Sequence, residues 1–342
     1  MKAKEYTFDA SYQPQVRTKN DASRIMLDVI IALAPAMVFA VYQFGFHALA
    51  LLAISVVSAV FFEWGYRKLM KKPSSIGDLS ACVTGILLVL CLPKDAPLWM
   101  PVVGTFFAIV IVKQLYGGIG KNFVNPALAG RAFLFFSWTA TMTSWAVPKM
   151  FGKAVVAADA VTMATPLSIL KEGGDVAAQG FDFLDMFLGF MPGSLGEIST
   201  LALLVGGAYL LIRKVISWRI PVAFIGTVAI LTFIFPRYGY SNLDWMLYNL
   251  LSGGLVLGAF FMATDYSSSP VTLNGQLLFG FGCGALTVLI RYFGGFPEGV
   301  SFAILIMNLC SWAIDKGTRG RQFGVTKEDL KAAKKAAKEA KA

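Results

Sequence analysis

Apolar residues run along this chain in stretches too long for strands and too uniform for the one-sided helices of a soluble domain. Ten stand out, at about 25–44, 47–66, 79–93, 97–116 and 123–138, then at about 199–216, 220–236, 246–264, 275–293 and 298–315. Most approach the ~20 residues that a helix needs to cross a bilayer. The pattern predicts an all-α polytopic membrane protein of about ten transmembrane helices. Five fall on each side of a long, weakly hydrophobic segment at 139–197.

Five spans per half is an odd number, so the second half enters the membrane upside down relative to the first. Two inverted five-helix repeats are a recurrent plan of transporters. Loose internal echoes agree with it. Thr84-Gly85-Ile86-Leu87-Leu88 echoes Gly253-Gly254-Leu255-Val256-Leu257, and Tyr116-Gly117-Gly118 echoes Phe293-Gly294-Gly295. The third span is short and ends at Pro93, while the eighth is bracketed by Gly253-Gly254 and Asp265. Short or discontinuous helices at matching positions point to a site where the repeats meet.

The expected organisation is an N-terminal arm (1–24), a first membrane repeat (25–138), an exposed segment (139–197), a second repeat (198–315) and a basic tail (316–342). No cleavable signal is visible in the polar first 20 residues, so the first span is expected to act as the targeting signal.

Charge supplies the orientation. Only 15% of residues are charged, against ~25% in soluble domains, and mean hydropathy is +0.65. The net charge of +10 could suggest nucleic acid, but the basic residues sit in short loops and at the two ends, as topology signals do. With both termini cytoplasmic, 24 of the 30 Lys and Arg fall on the inner side. The outer side then holds only Lys94, Lys149, Lys153, Lys171, Arg237 and Arg291, and segment 139–197 faces outward. No nucleic-acid partner is expected. Lipid is.

The four cysteines lie singly in apolar runs without a C-x-x-C pair, and there is one histidine, His47. That composition argues against an iron–sulfur cluster or bis-histidine haem built from this chain alone.

The stretch with chemical promise is Asp159-Ala160-Val161-Thr162-Met163-Ala164-Thr165-Pro166-Leu167. A threonine hydroxyl can form a phosphoester. Pro166 biases Thr165 away from the helical region, which is expected to leave the side chain on an exposed corner. Asp159 could orient the hydroxyl or bind a metal during attachment. From these residues alone the stretch reads equally well as an ordinary loop.

The segment resembles the flavin-attachment motif Asp-x-x-[Ser/Thr]-Gly-Ala-Thr. That motif belongs to a family with two related kinds of member: the D subunit of the Rnf ion-translocating oxidoreductase and the B subunit of the sodium-pumping NADH:quinone oxidoreductase. Asp159, Thr162, Ala164 and Thr165 match, and Met163 replaces the usual Gly. The resemblance extends to 121–133, Pro192–Ser199, Phe261–Asp265 and Gly294–Gly299. Order and spacing fit the Rnf member better, because the N-terminal arm is short.

The resemblance implies FMN joined to Thr165 through its phosphate by a flavin transferase, with a second, non-covalent, riboflavin-like flavin among the spans. It also implies partner subunits: a flavin-bearing extracytoplasmic subunit, further membrane subunits and iron–sulfur subunits. Together they would pass electrons between ferredoxin and NAD⁺ while Na⁺ or H⁺ moves. No nicotinamide fingerprint is present, so this chain alone is not expected to oxidise NADH.

Further candidates are Arg131, whose cationic fork suits a phosphate or a flavin carbonyl, and Asp265, with Asp78 and Asp95, at span ends where ion paths often run. Gly193-Ser194-x-Gly196-Glu197 reads as a helix start. The competing reading is a cofactor-free solute channel or transporter on the same inverted-repeat fold, with Arg131 or Asp265 lining its pore.

Overall fold

Each of the ten apolar stretches contains a helix in the computed structural model, which describes residues 21–145 and 163–320. All regular structure among these residues is helical. The first half comprises α1 (Ala22–Phe44), α2 (Phe46–Leu69), α3 (Ser80–Leu90), α4 (Trp99–Phe106) and α5 (Pro126–Ser137). Short helices α6 (Thr139–Met142), α7 (Pro166–Glu172) and α8 (Phe183–Leu188) follow. The second half holds α9 (Thr200–Ile212), α10 (Arg219–Ile234), α11 (Asn242–Leu251), α12 (Leu255–Leu257), α13 (Leu273–Phe293) and α14 (Val300–Thr318).

Helices α1, α2, α13 and α14 are long and apolar enough to cross a membrane unaided. A fifth candidate is a bent pair that is apolar and long enough when taken together: α11 and Leu255–Met262 meet at 62°. The break falls at Ser252-Gly253-Gly254, where φ is +79° at Gly253 and +63° at Gly254. Only glycine adopts such angles cheaply. Two helices loosen into wider π turns, α4 over Phe107–Gln114 and α12 over Gly258–Met262.

Helix α3 has 11 residues. At 1.5 Å per residue it covers ~16 Å, about half of a bilayer's hydrocarbon core. Its last carbonyls need partners inside the molecule, since lipid supplies none. The amide of Leu195 donates to Leu92 O at 3.0 Å and that of Gly196 to Leu90 O at 2.8 Å. This settles Gly193–Glu197 differently from the expected helix start. It is a buried strap that turns over Ser194–Glu197 and is spent on closing α3, and α9 begins at Thr200, capped by the Ser199 hydroxyl on Ala202 N at 3.2 Å.

Small residues let helices approach closely, as packing within membranes requires. A Cβ added at Gly206 of α9 would overlap the Ala32 carbonyl of α1, and one at Gly280 of α13 would stand 2.8 Å from the Ile220 carbonyl of α10. One apolar core, running from Leu33 and Leu88 to Phe224 and Phe279, joins the two halves. Large exposed apolar side chains such as Val38, Phe46, Ile212 and Trp312 form the lipid-facing surface.

Candidate functional site

Thr165 precedes Pro166, whose fixed φ suits the first helical position of α7. Its backbone is extended (φ −71°, ψ 153°), and its Oγ1 caps the helix, accepting from Ser168 N at 3.2 Å and meeting Ser168 Oγ at 2.8 Å. The side chain is 5% exposed. It does not stand on the open corner expected from the sequence. Capping turns the hydroxyl back onto its own helix, while Ala164 beside it is exposed. Asp159 and Thr162 lie outside the described residues.

Helix α7 is tied to the second half at both ends. Leu167 and Arg291 of α13 both reach the backbone break, at 2.7 and 2.5 Å from where a Cβ on Gly253 would stand. At its other end Lys171 Nζ donates to the carbonyls of Gly294 and Phe296, and Tyr238 Oη donates to Lys171 O at 3.0 Å. Desolvation lowers the Lys171 pKa from its ordinary value. Tyr240 donates to Gly174 O and accepts from Val176 N; burial pushes its phenol up.

Arg131 of α5 is bound to Glu298 and the Ser301 hydroxyl, joining the first half to α14. Its two terminal nitrogens are therefore committed within the protein, and its buried Nε lacks an acceptor. Asp95 is half-exposed beside Lys94.

A second site was only partly visible in the sequence. Lys113, an inner-face charge by the count of basic residues, is 2% exposed, and Glu63 of α2 is fully buried. Lys113 Nζ donates to Glu63 Oε2 at 2.7 Å and to Ser80 Oγ at 2.6 Å. Ser80 Oγ donates on to Asp78, and Ser75 Oγ donates to Glu63. Glu63 alone could have been noticed, because a carboxylate inside an apolar stretch needs a partner. Which partner, only the fold reveals.

This chain of groups borders a cavity of about 440 Å³ between the halves. That is within the ~300–1,000 Å³ typical of ligand pockets. Thr84 and Leu87 of α3, Asn122 and Asn125, Phe260 of the second π stretch and Asp265 also line it. Asp265 is half-buried and accepts from Ser267 Oγ at 3.1 Å and Ser268 Oγ at 2.9 Å.

At Thr165 the donor chemistry fits a phosphoester, since among the described residues Oγ1 is held by its own helix alone; loading requires that first turn to open. The cavity has the size, apolar walls and scattered polar groups for a planar heteroaromatic ring. Among the described residues no cluster of His, Cys, Asp and Glu could hold a metal ion.

Fold and site together define a multi-pass helical membrane protein whose two halves enclose a ligand-sized cavity. The chain belongs to the NQR2, RnfD, RnfE family, whose model matches residues 9–324. It is 48% identical to the D subunit of the Na⁺-translocating ferredoxin:NAD⁺ oxidoreductase complex of Acetobacterium woodii, over 94% of this chain and 97% of that one. It is 46% identical to the D subunit of the proton-translocating ferredoxin:NAD⁺ oxidoreductase complex of Clostridium ljungdahlii, over the same shares. It is 40% identical to the D subunit of the ion-translocating oxidoreductase complex of Stutzerimonas stutzeri, over 90% of this chain and 93% of that one.

Proposed function

We propose that this chain is the membrane-embedded electron-carrying subunit of an ion-translocating ferredoxin:NAD⁺ oxidoreductase complex. FMN is held as a phosphoester on Thr165, and a second, non-covalent flavin sits in the cavity between the halves. The observation that carries the reading is similarity over nearly the whole chain to two proteins named for such complexes and to a third named for an ion-translocating oxidoreductase complex, together with a capping threonine inside the matching motif. Bound flavin supplies electron transfer. The chain's own residues place and shield it: α7 anchors the attachment residue against the second half, and the cavity walls exclude water around a ring.

The finer topology belongs to the same proposal: ten spans as two inverted five-helix repeats, with both termini cytoplasmic and the flavin-bearing segment outside. Its support is the short α3 and the broken α11–α12 in the third and eighth positions. Partners are the extracytoplasmic flavoprotein, the other membrane subunits and the iron–sulfur subunits, with a flavin transferase for maturation. Two relatives of nearly equal identity are named for different ions, so overall similarity does not select Na⁺ or H⁺.

The test is covalent flavin after denaturation. The protein, co-produced with a flavin transferase, is expected to fluoresce in a denaturing gel, and a peptide spanning 154–171 to carry the mass of FMN. Colourless protein of unmodified mass would refute the attachment and favour the cofactor-free channel.

A further inference from the structure

The outer side is poor in basic residues, yet three of the four that lie among the described residues converge on one place. Lys171 of α7, Arg237 of the α10–α11 loop and Arg291 of α13 line a single cavity with Tyr238, Trp245 and Tyr292. No Asp or Glu lines it. Its volume is about 30 Å³. A single water needs ~10–15 Å³ by this measure, so there is room for the oxygens of one phosphate or carboxylate and none for a flavin ring.

Among the described residues the three cations lack a counter-charge in contact with them. Lys171 donates to backbone carbonyls alone. Arg237 Nη1 donates to Tyr292 O at 2.9 Å, with its guanidinium 4.3 Å from the Tyr292 ring centre and 4.8 Å from that of Phe293. Arg291 holds Asn249 O at 2.6 Å and Ser252 O at 3.0 Å, the open carbonyls at the end of α11. Its Nε is buried without an acceptor.

Two carboxylates act on Arg291 from farther off. Glu197 accepts from Ser194, and Glu298 is already bound to Arg131. A buried cation is costly unless an anion meets it, and arginine's fork is shaped for phosphate oxygens.

The surroundings indicate the source of that anion. Phe235, Tyr238 and Phe293 are 58%, 57% and 75% exposed beside the cavity. Aromatic side chains gather at the head-group level of a bilayer, and basic pockets between membrane helices hold anionic head groups. We propose that this cavity binds the phosphodiester of an anionic phospholipid, which locks α7 to the broken span by neutralising Lys171, Arg237 and Arg291 together. Such a site does not require flavin on Thr165.

The experiment uses the purified full chain, stripped of lipid in neutral detergent and titrated with phosphatidylglycerol, phosphatidylcholine or inorganic phosphate. Bound lipid is counted by native mass spectrometry and thermal unfolding is followed in parallel. Phosphatidylglycerol is expected to bind and raise the unfolding temperature, and phosphatidylcholine to do neither. K171Q/R237Q is expected to weaken binding at least about tenfold, since charge-assisted hydrogen bonds are the strong ones. R219Q, a charge change at the first residue of α10, should not.

Displacement of phosphatidylglycerol by millimolar phosphate would support the anion site and assign it a soluble ligand. Equal binding of the two lipids, or equal binding by wild type and K171Q/R237Q, would overturn it. Should the double variant fail to fold, R237Q alone, altering a partly exposed side chain, carries the comparison.

Discussion

Removing Lys113 should destabilise this protein more than removing almost any other charge. In K113M the Glu63 carboxylate stays fully buried and, among the described residues, keeps the Ser75 hydroxyl alone as a donor. Breaking a buried pair from one side costs about 3–5 kcal/mol, because an uncompensated charge is left in a low-dielectric interior. At ~1.4 kcal/mol per decade that is roughly a 140- to 3,700-fold shift in the folding equilibrium.

Replacing both partners, as E63Q/K113M, removes the stranded charge. It should recover most of the loss, leaving a residue of about 1–2 kcal/mol for the disrupted bonds to Ser75 and Ser80. A double-mutant cycle followed by reversible unfolding in mixed micelles measures the coupling directly. If K113M costs less than about 1 kcal/mol, or the double variant costs the sum of the singles, Lys113 and Glu63 do not form an isolated buried pair. Because Lys113 also lines the cavity, K113M is expected as well to weaken retention of the non-covalent flavin proposed to bind there.

Other outcomes follow from the same geometry. T165V should abolish covalent flavin fluorescence while the protein still inserts, and should cost about 1 kcal/mol for the lost cap; fluorescence that survives T165V and vanishes in a Thr162 variant moves the attachment residue. G253A should lower unfolding stability by at least about 1–3 kcal/mol, because it places a Cβ at φ +79° against Arg291 and Leu167; an unchanged midpoint would mean the break relaxes freely. G206V should force α1 from α9 and sharply reduce folded yield, whereas G226V, where a Cβ meets nothing within 4 Å, should be tolerated.

The linear order of apolar stretches was enough to announce helices, their approximate limits and the weak segment between the halves. That follows because a residue's hydrophobicity reports directly on whether lipid or water suits it. It also marked where the third and eighth spans would be interrupted, since Pro93 and Gly253-Gly254 act on their own backbone. The motif around Thr165 was legible for the same local reason, although its burial was not: an N-cap bond forms only once the helix after it exists.

What the sequence left open were the partners of charges. Arg131 meeting Glu298, Lys113 meeting Glu63, and Leu195 and Gly196 closing the end of α3 all join residues far apart in the chain. The sequence by itself determined a helical membrane protein with a marked threonine. Only the tertiary structure decided which buried charges neutralise one another, which three cations converge with no anion in contact among the described residues, and where a ligand-sized space remains. Those depend on which helices pack together in three dimensions, and side-chain pairing at that range leaves no periodic trace along the chain.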